Sequence, residues 1–148
     1  MTEPCRAALA LEPLLADGGI LHEADFAPDG LHPLVVGVVT GYEVMSGGGR
    51  AVTEPGDVAG LQLRSSGGAI DRTVSRLGAA PVAMPVTEMY EAIARGTVDG
   101  TVLGPMSALP YRMDEVATNS TLGAQLGSFT ITYSIGQRIW EELPPDLQ

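Results

Sequence analysis

Arg64 is the residue of this chain best placed to do chemistry. It lies in the stretch Gly60-Leu61-Gln62-Leu63-Arg64-Ser65-Ser66-Gly67-Gly68, which reads as a short strand breaking into a small-residue turn, with a helical pattern directly after it. A guanidinium is a planar, two-pronged donor. The first backbone N–H groups of a helix are unpaired and carry partial positive charge. Together they suit a carboxylate. The chain has a net charge of -10, so its general field does not attract anions and an acid has to be held locally. The other role open to Arg64 is an ion pair with one of the eighteen acidic residues.

The remaining polar residues carry less. Arg50 follows Gly47-Gly48-Gly49, but no helix pattern comes next and the Lys-Ser/Thr of a phosphate loop is missing, so this reads as a surface turn. Asp99-Gly100 is a turn dipeptide or a bend beside a strand. His22 and His32 fall in a loop with Glu23 and Asp25, and no regular ligand spacing supports a metal there. No metal and no cofactor are expected. No serine is flanked by glycines as a nucleophile, the sole cysteine, Cys5, lies in a helical stretch, and Asp114-Glu115 and Glu141-Glu142 read as solvated faces. Nothing marks an enzyme. Tyr42, Tyr90, Tyr111 and Trp140 are scattered, with core packing and pocket lining equally open to each. Met84, Met89, Met106 and Met113 are gap-fillers by default, and Met106 follows a strand end where it could touch a ligand.

A chain of 148 residues can bury a core of its own. Its eight basic residues are all arginine, and a pI near 4.4 leaves no basic stripe for nucleic acid. One cysteine excludes an internal disulfide framework. Residues 1–16 contain Pro4, Glu3 and Glu12 and do not read as a signal peptide, and no apolar run reaches the length of a membrane span.

The elements that must position Arg64 are clearest in the middle of the chain. Leu61 to Arg64 reads as a strand, Ala69 to Leu77 as a helix with Ile70, Val74 and Leu77 on one face and Gly78 as its stop, and Pro81 to Met84 as a second strand. A helix follows, capped by Thr87 and ended by Arg95 and Gly96, and then a third strand over Thr97 to Leu103. This β-α-β-α-β order with short loops predicts a parallel sheet. Before it come a helix from Pro4 to Ala16 stopped by Gly18-Gly19, a loop over 22–33, a strand over 34–39 buried on both faces, and a loop from Gly41 to Gly56. After it come a short helical or irregular segment over 105–113, an alternating strand from Phe129 to Ser134, and a helix from Gln137 that Pro144-Pro145 interrupts. In open α/β sheets ligands sit outside the carboxyl ends of the strands. Here those ends are Arg64, Met84-Pro85-Val86 and Leu103-Gly104-Pro105, one cation with apolar walls. That suits a small organic carboxylate better than a phosphate or a sugar.

Four linked blocks carry a resemblance: Asp57-Val58-Ala59-Gly60-Leu61-Gln62-Leu63-Arg64, Leu77 to Pro85, Glu88-Met89-Tyr90-Glu91-Ala92-Ile93, and Gly96-Thr97-Val98-Asp99-Gly100. In order and spacing they resemble the solute-binding proteins of TRAP transporters, the DctP family. The resemblance extends over 18–148. It implies a periplasmic-binding-protein-like (type II) α/β fold with a βαβαβ parallel core. It also implies a periplasmic receptor that closes two lobes on an organic acid and delivers it to the TRAP membrane permease subunits without chemistry. On this resemblance residues 1–56 are a partial first-lobe or hinge segment, 57–125 the ligand-binding lobe, and 126–148 a return strand and the start of a hinge helix. Arg64 is expected to pair with the substrate carboxylate. Val86 and Leu103 are expected to line the pocket, with Ser65 and Met106 beside them. Leu103 stands where sialic-acid-binding members carry asparagine, which points to an apolar or aromatic monocarboxylate. Family members are much longer, so an incomplete two-lobe fragment without a signal peptide is expected. The alternative is a truncated ligand-sensing or interaction module without transport activity.

Overall fold

The computed structural model describes residues 3–39, 41–128 and 130–148. The chain forms two compact units, Met1–Val39 with Phe129–Gln148, and Thr40–Ser128.

In the first unit α1 (Glu3–Leu15) packs on β1 (Leu31–Val38). Gly18, at φ +77°, and Gly19 end the helix, as the sequence predicts. At Gly19 an added Cβ would stand 2.4 Å from the Leu14 carbonyl oxygen, so the chain turns back tightly against the helix end. The loop expected over 22–33 is instead a π-helical turn (His22–Phe26), a 3₁₀ turn (Ala27–Asp29) and the first residues of β1. The strand expected to be buried on both faces is also corrected, because Leu34 is 47% and Val35 59% exposed. The cause is its pairing: among the described residues β1 has one neighbour, the antiparallel β7 (Thr130–Gly136). Pro33, which has no N–H to give to a ladder, sits at the bulge where Leu34 is skipped in the register. The unit ends in α4 (Gln137–Glu142).

The second unit is a five-stranded sheet in the order β4-β3-β5-β2-β6. The expected parallel core is present: β3 (Gln62–Ser65) lies between and parallel to β4 (Ala80–Ala83) and β5 (Gly100–Leu103), with α2 (Ala69–Arg76) and α3 (Met89–Ala94) in the crossovers. Two antiparallel strands extend it, β2 (Glu43–Ser46) on β5 and the two-residue β6 (Asn119–Ser120) on β2. β2 falls inside the segment read as a loop from Gly41 to Gly56. Its four residues, Glu43-Val44-Met45-Ser46, are all buried, with a charged and a polar residue at the ends that hide the strand pattern. The unit therefore takes in residues well ahead of 57.

Local details follow physical rules with one correction. Thr87 does not cap α3. A 3₁₀ turn over Val86–Glu88 precedes the helix, and no side chain caps it. Asp57, at the head of the first sequence block, accepts hydrogen bonds from Thr53 N (2.8 Å), Thr53 Oγ1 (2.8 Å) and Glu54 N (3.0 Å), closing the turn that feeds β3. Those donors, the backbone ones first, hold its carboxyl below the usual range. A depressed carboxyl pKa contributes stability that is present above the unfolded value and lost as pH falls through the folded one. Asp57→Asn is therefore expected to make the fall of Tm below about pH 4 shallower, as read by thermal melts across pH.

Candidate carboxylate site

The register of the sheet sets Val82, Arg64, Thr101 and Met45 in one row across four strands, on one face. Leu103 is two residues beyond Thr101, so it shares this face and stands opposite Glu43 of β2. Helix α3 covers the face: Met89 and Ile93 form one buried cluster with Met45, Leu103, Val98 and Met113. Met84, Val82 and Val86 pack against that cluster. Arg64 is thus a cation at the edge of an apolar core.

Arg64 is 5% exposed. Its Nε–H and one Nη2–H donate to the carbonyl oxygen of Met84, at 3.1 and 2.9 Å. Met84 lies just past the end of β4, so the backbone leaving one strand orients the side chain of its neighbour. Among the described residues no carboxylate lies within 4 Å of Arg64, so none of them gives it the ion pair that the sequence left open. Burial pushes the guanidinium pKa down, and the nearby phenols of Tyr42 and Tyr111 act in the opposite direction. The group stays charged at neutral pH, because arginine is not deprotonated in proteins. Burial also raises the pKa of Tyr42, against the pull of Arg64, so Tyr42 stands beside the cation as a neutral phenol. Of the five N–H donors of a guanidinium, two serve Met84, and the other three have no hydrogen-bond partner among the described residues.

The structure brings some of the expected residues together and separates others. Leu103 and Val86 meet through the core cluster against which Met84 packs. Ser65, one residue past Arg64, points to the opposite face. It is fully buried and its hydroxyl donates to Asp71 in the first turn of α2. Ser65 therefore ties the turn to the helix instead of facing Arg64. Met106 is 75% exposed and outside the cluster. Tyr42 and Tyr111, for which the sequence left core packing and pocket lining equally open, are neighbours of the guanidinium, a placement that residues so far apart in the chain do not signal by spacing. Arg50 is a surface residue whose guanidinium pairs with Asp99 at 3.5 Å. Asp99 also accepts from the Gln62 backbone N–H at 2.8 Å, which places it at the entry of β3.

A cavity of about 480 Å³ in the same unit is lined by Val44, Val52, Pro55, Val58, Leu77 and Leu122, with Glu54 also at its wall. Val44 is one residue from Met45, so this cavity lies on the sheet face away from Arg64. It has an acid and no cation at its wall, which is unfavourable for an anion.

The family described as bacterial extracellular solute-binding protein, family 7 (DctP), matches residues 20–148, including all four sequence blocks. The chain belongs to this family. The C4-dicarboxylate-binding periplasmic protein DctP of Rhodobacter capsulatus is 30% identical over 109 residues, 73% of this chain and 32% of that protein. A solute-binding protein of Albidiferax ferrireducens is 30% identical over 101 residues, 66% of this chain and 30% of its own length. The chain thus spans about a third of the length of the curated relatives it matches. Among solved structures, a TRAP periplasmic solute-binding protein of Rhodoferax ferrireducens with bound malonate superposes with a TM-score of 0.72 at 25% identity, over 86% of this chain and 40% of that one. A counterpart from Ralstonia eutropha with bound (S)-2-acetolactate gives 0.70 at 26% identity, over 89% and 43%. These relatives are binding proteins of transporters, not enzymes. The mixed α/β fold with parallel strands is the family fold. No helix among the described residues is long and apolar enough to cross a membrane.

Proposed function

We propose that this chain belongs to the extracytoplasmic solute-binding component of a TRAP-type transport system, that it holds a small organic acid through Arg64, and that the acid passes to a membrane permease. The observation that carries this reading is Arg64 itself: a buried cation, oriented by a carbonyl and free of acidic partners among the described residues. Burying an arginine without a counter-ion is costly, and an incoming carboxylate relieves that cost with charge-assisted hydrogen bonds. The bound malonate and acetolactate of the two structural relatives support an acid as the ligand class. With Arg64 as the cation and the apolar Val86 and Leu103 on the cluster beside it, an apolar or aromatic monocarboxylate is favoured over a dicarboxylate, whose second charge has no cation to meet among the described residues of this face.

The test is a panel of mono- and dicarboxylates measured by thermal shift and calorimetry on the chain and on Arg64→Met. A ligand that binds the folded state raises Tm by mass action. The expected result is a monocarboxylate that binds with Arg64 present and about 10- to 100-fold more weakly in Arg64→Met, from the loss of charged hydrogen bonds. Equal affinity in the two proteins would remove Arg64 from the site. A clear preference for dicarboxylates would keep the receptor reading and overturn the ligand class.

A further inference from the structure

We propose that Asp17, His22 and His32 form a binding site for a divalent first-row transition ion in the first unit. The Asp17 carboxylate, His22 Nε2 and His32 Nδ1 lie within 4.8 Å of one another. Asp17 Oδ1 is 3.6 Å from His22 Nε2 and 3.7 Å from His32 Nδ1. Two ligands of a tetrahedral ion at about 2.0–2.1 Å stand roughly 3.3–3.4 Å apart, so the two Asp17 distances close onto an ion with shifts of a few tenths of an ångström, while the two imidazole nitrogens, within 4.8 Å of each other, close by a rotation of the exposed Asp17 and an approach of the rings of up to about 1.4 Å. Both imidazole nitrogens are buried and have no hydrogen-bond partner among the described residues. His22 as a whole is only 8% exposed. Two buried nitrogens beside a carboxylate, with no hydrogen-bond partner among the described residues, are a donor set lacking its acceptor.

The surroundings fix both rings. His22 Nδ1 lies 3.2 Å from Glu23 Oε1. A carboxylate there holds the proton on Nδ1 and leaves the Nε2 lone pair directed into the cluster, the outer-shell arrangement usual for metal-ligating histidines. His32 is stacked on Trp140, with ring centroids 4.1 Å apart and planes 12° from parallel. The tight return at Gly18-Gly19 sets Asp17 against the turn that carries His22, and β1 supplies His32, so three separate segments converge. Asp17 is exposed and opens the site to solvent, leaving a fourth position for water. Two imidazoles and one carboxylate suit zinc and its first-row neighbours better than calcium or magnesium, which prefer all-oxygen sets. Evenly spaced motifs do not reveal such a site, because its ligands meet only through the fold.

The experiment titrates Zn²⁺ into the chain in a Cys5→Ser background, so that a thiol does not compete, with Mg²⁺ and Ca²⁺ as comparators. Co²⁺ serves as an optical probe of four-coordinate geometry. Asp17→Asn keeps an exposed side chain of the same shape, and His32→Phe keeps the stack on Trp140, so both variants should retain a cooperative melt. The expected result is one Zn²⁺ per chain, a rise in Tm on binding, and intense visible absorption with Co²⁺. Affinity should fall by about tenfold or more in Asp17→Asn and about 100-fold or more in His32→Phe, because each removes a ligand. Glu23→Gln should weaken binding by about tenfold through the ring it orients. Zinc binding that is unchanged in both ligand variants, or no saturable binding to the parent chain, would overturn the proposal.

Discussion

Gly100→Ala is expected to destabilise the second unit by about 2–4 kcal/mol, far more than an ordinary glycine-to-alanine change. The position does not need glycine for a left-handed backbone, since Gly100 is not among the residues at positive φ. It needs the missing Cβ. A methyl group there would stand 2.2 Å from the Met45 carbonyl oxygen and 2.9 Å from Ser46 Cα. Both are backbone atoms of the paired strand and cannot rotate away. Relief requires β5 and β2 to separate at Ser46↔Gly100 and Met45↔Thr101. That is the row in which Arg64 stands, through its own pairing with Thr101. Carboxylate binding should therefore weaken along with stability. Gly56→Ala is the control, because its added Cβ meets nothing closer than 3.8 Å and its φ is ordinary, so its effect should stay within about 0.5 kcal/mol. Urea unfolding of the three proteins reads both values. A Gly100→Ala midpoint matching that of the control would mean that the strands part cheaply, and the row would not be the rigid support of the site.

The Asp-Gly dipeptide shows how far the sequence could be read. It signals a turn, and a bend is present over 97–99, but the reason for the glycine is a partner strand that the sequence hides. Glu43-Val44-Met45-Ser46 has neither alternation nor a β-branched run. Its burial comes from two neighbours, β5 and β6, that lie far along the chain. By contrast the βαβαβ core was legible because its helices carry a 3.6-residue period and its stops are glycines, such as Gly78 at φ +87°. The error at β1 is of the opposite kind. Val35 and Val36 read as a buried strand by composition, and a two-stranded pairing leaves Leu34 and Val35 exposed and no residue of the strand fully buried. At the candidate site, the strand that carries Arg64 was legible in the sequence. That Ser65 turns away follows from strand alternation once the register is known. Tyr42 and Tyr111 become neighbours of the guanidinium only in three dimensions.

Glu43→Ala is expected to cost about 3–5 kcal/mol of stability, because it orphans several partly buried donors at about 1–3 kcal/mol each. Glu43 is 3% exposed and the sequence gives it no distinction. Its Oε1 accepts from Gly123 N at 3.0 Å and Gln125 N at 3.4 Å. Its Oε2 accepts from Ala124 N and the Thr121 hydroxyl, both at 3.0 Å. The same hydroxyl accepts from Val44 N at 2.9 Å, so the loop after β6 is bound to β2 twice. Successive N–H groups converging in this way make a concavity that commonly holds an anion, and here the chain fills it with its own side chain. Glu43→Gln keeps the volume but turns an NH₂ toward two donors, and should cost about 1–3 kcal/mol. Thr121→Val should cost about 1–2 kcal/mol, and the double variant with Glu43→Ala should cost less than the sum, since the two share a bond. A loss below about 1 kcal/mol for Glu43→Ala would mean that water replaces the carboxylate freely. The network also bears on the site. Glu43 stands opposite Leu103 on the face that carries Arg64, yet its carboxylate is wholly engaged by the 121–125 loop. The acid nearest in register to the cation is thus withheld from it, which is what the proposed role of Arg64 as a carboxylate anchor requires.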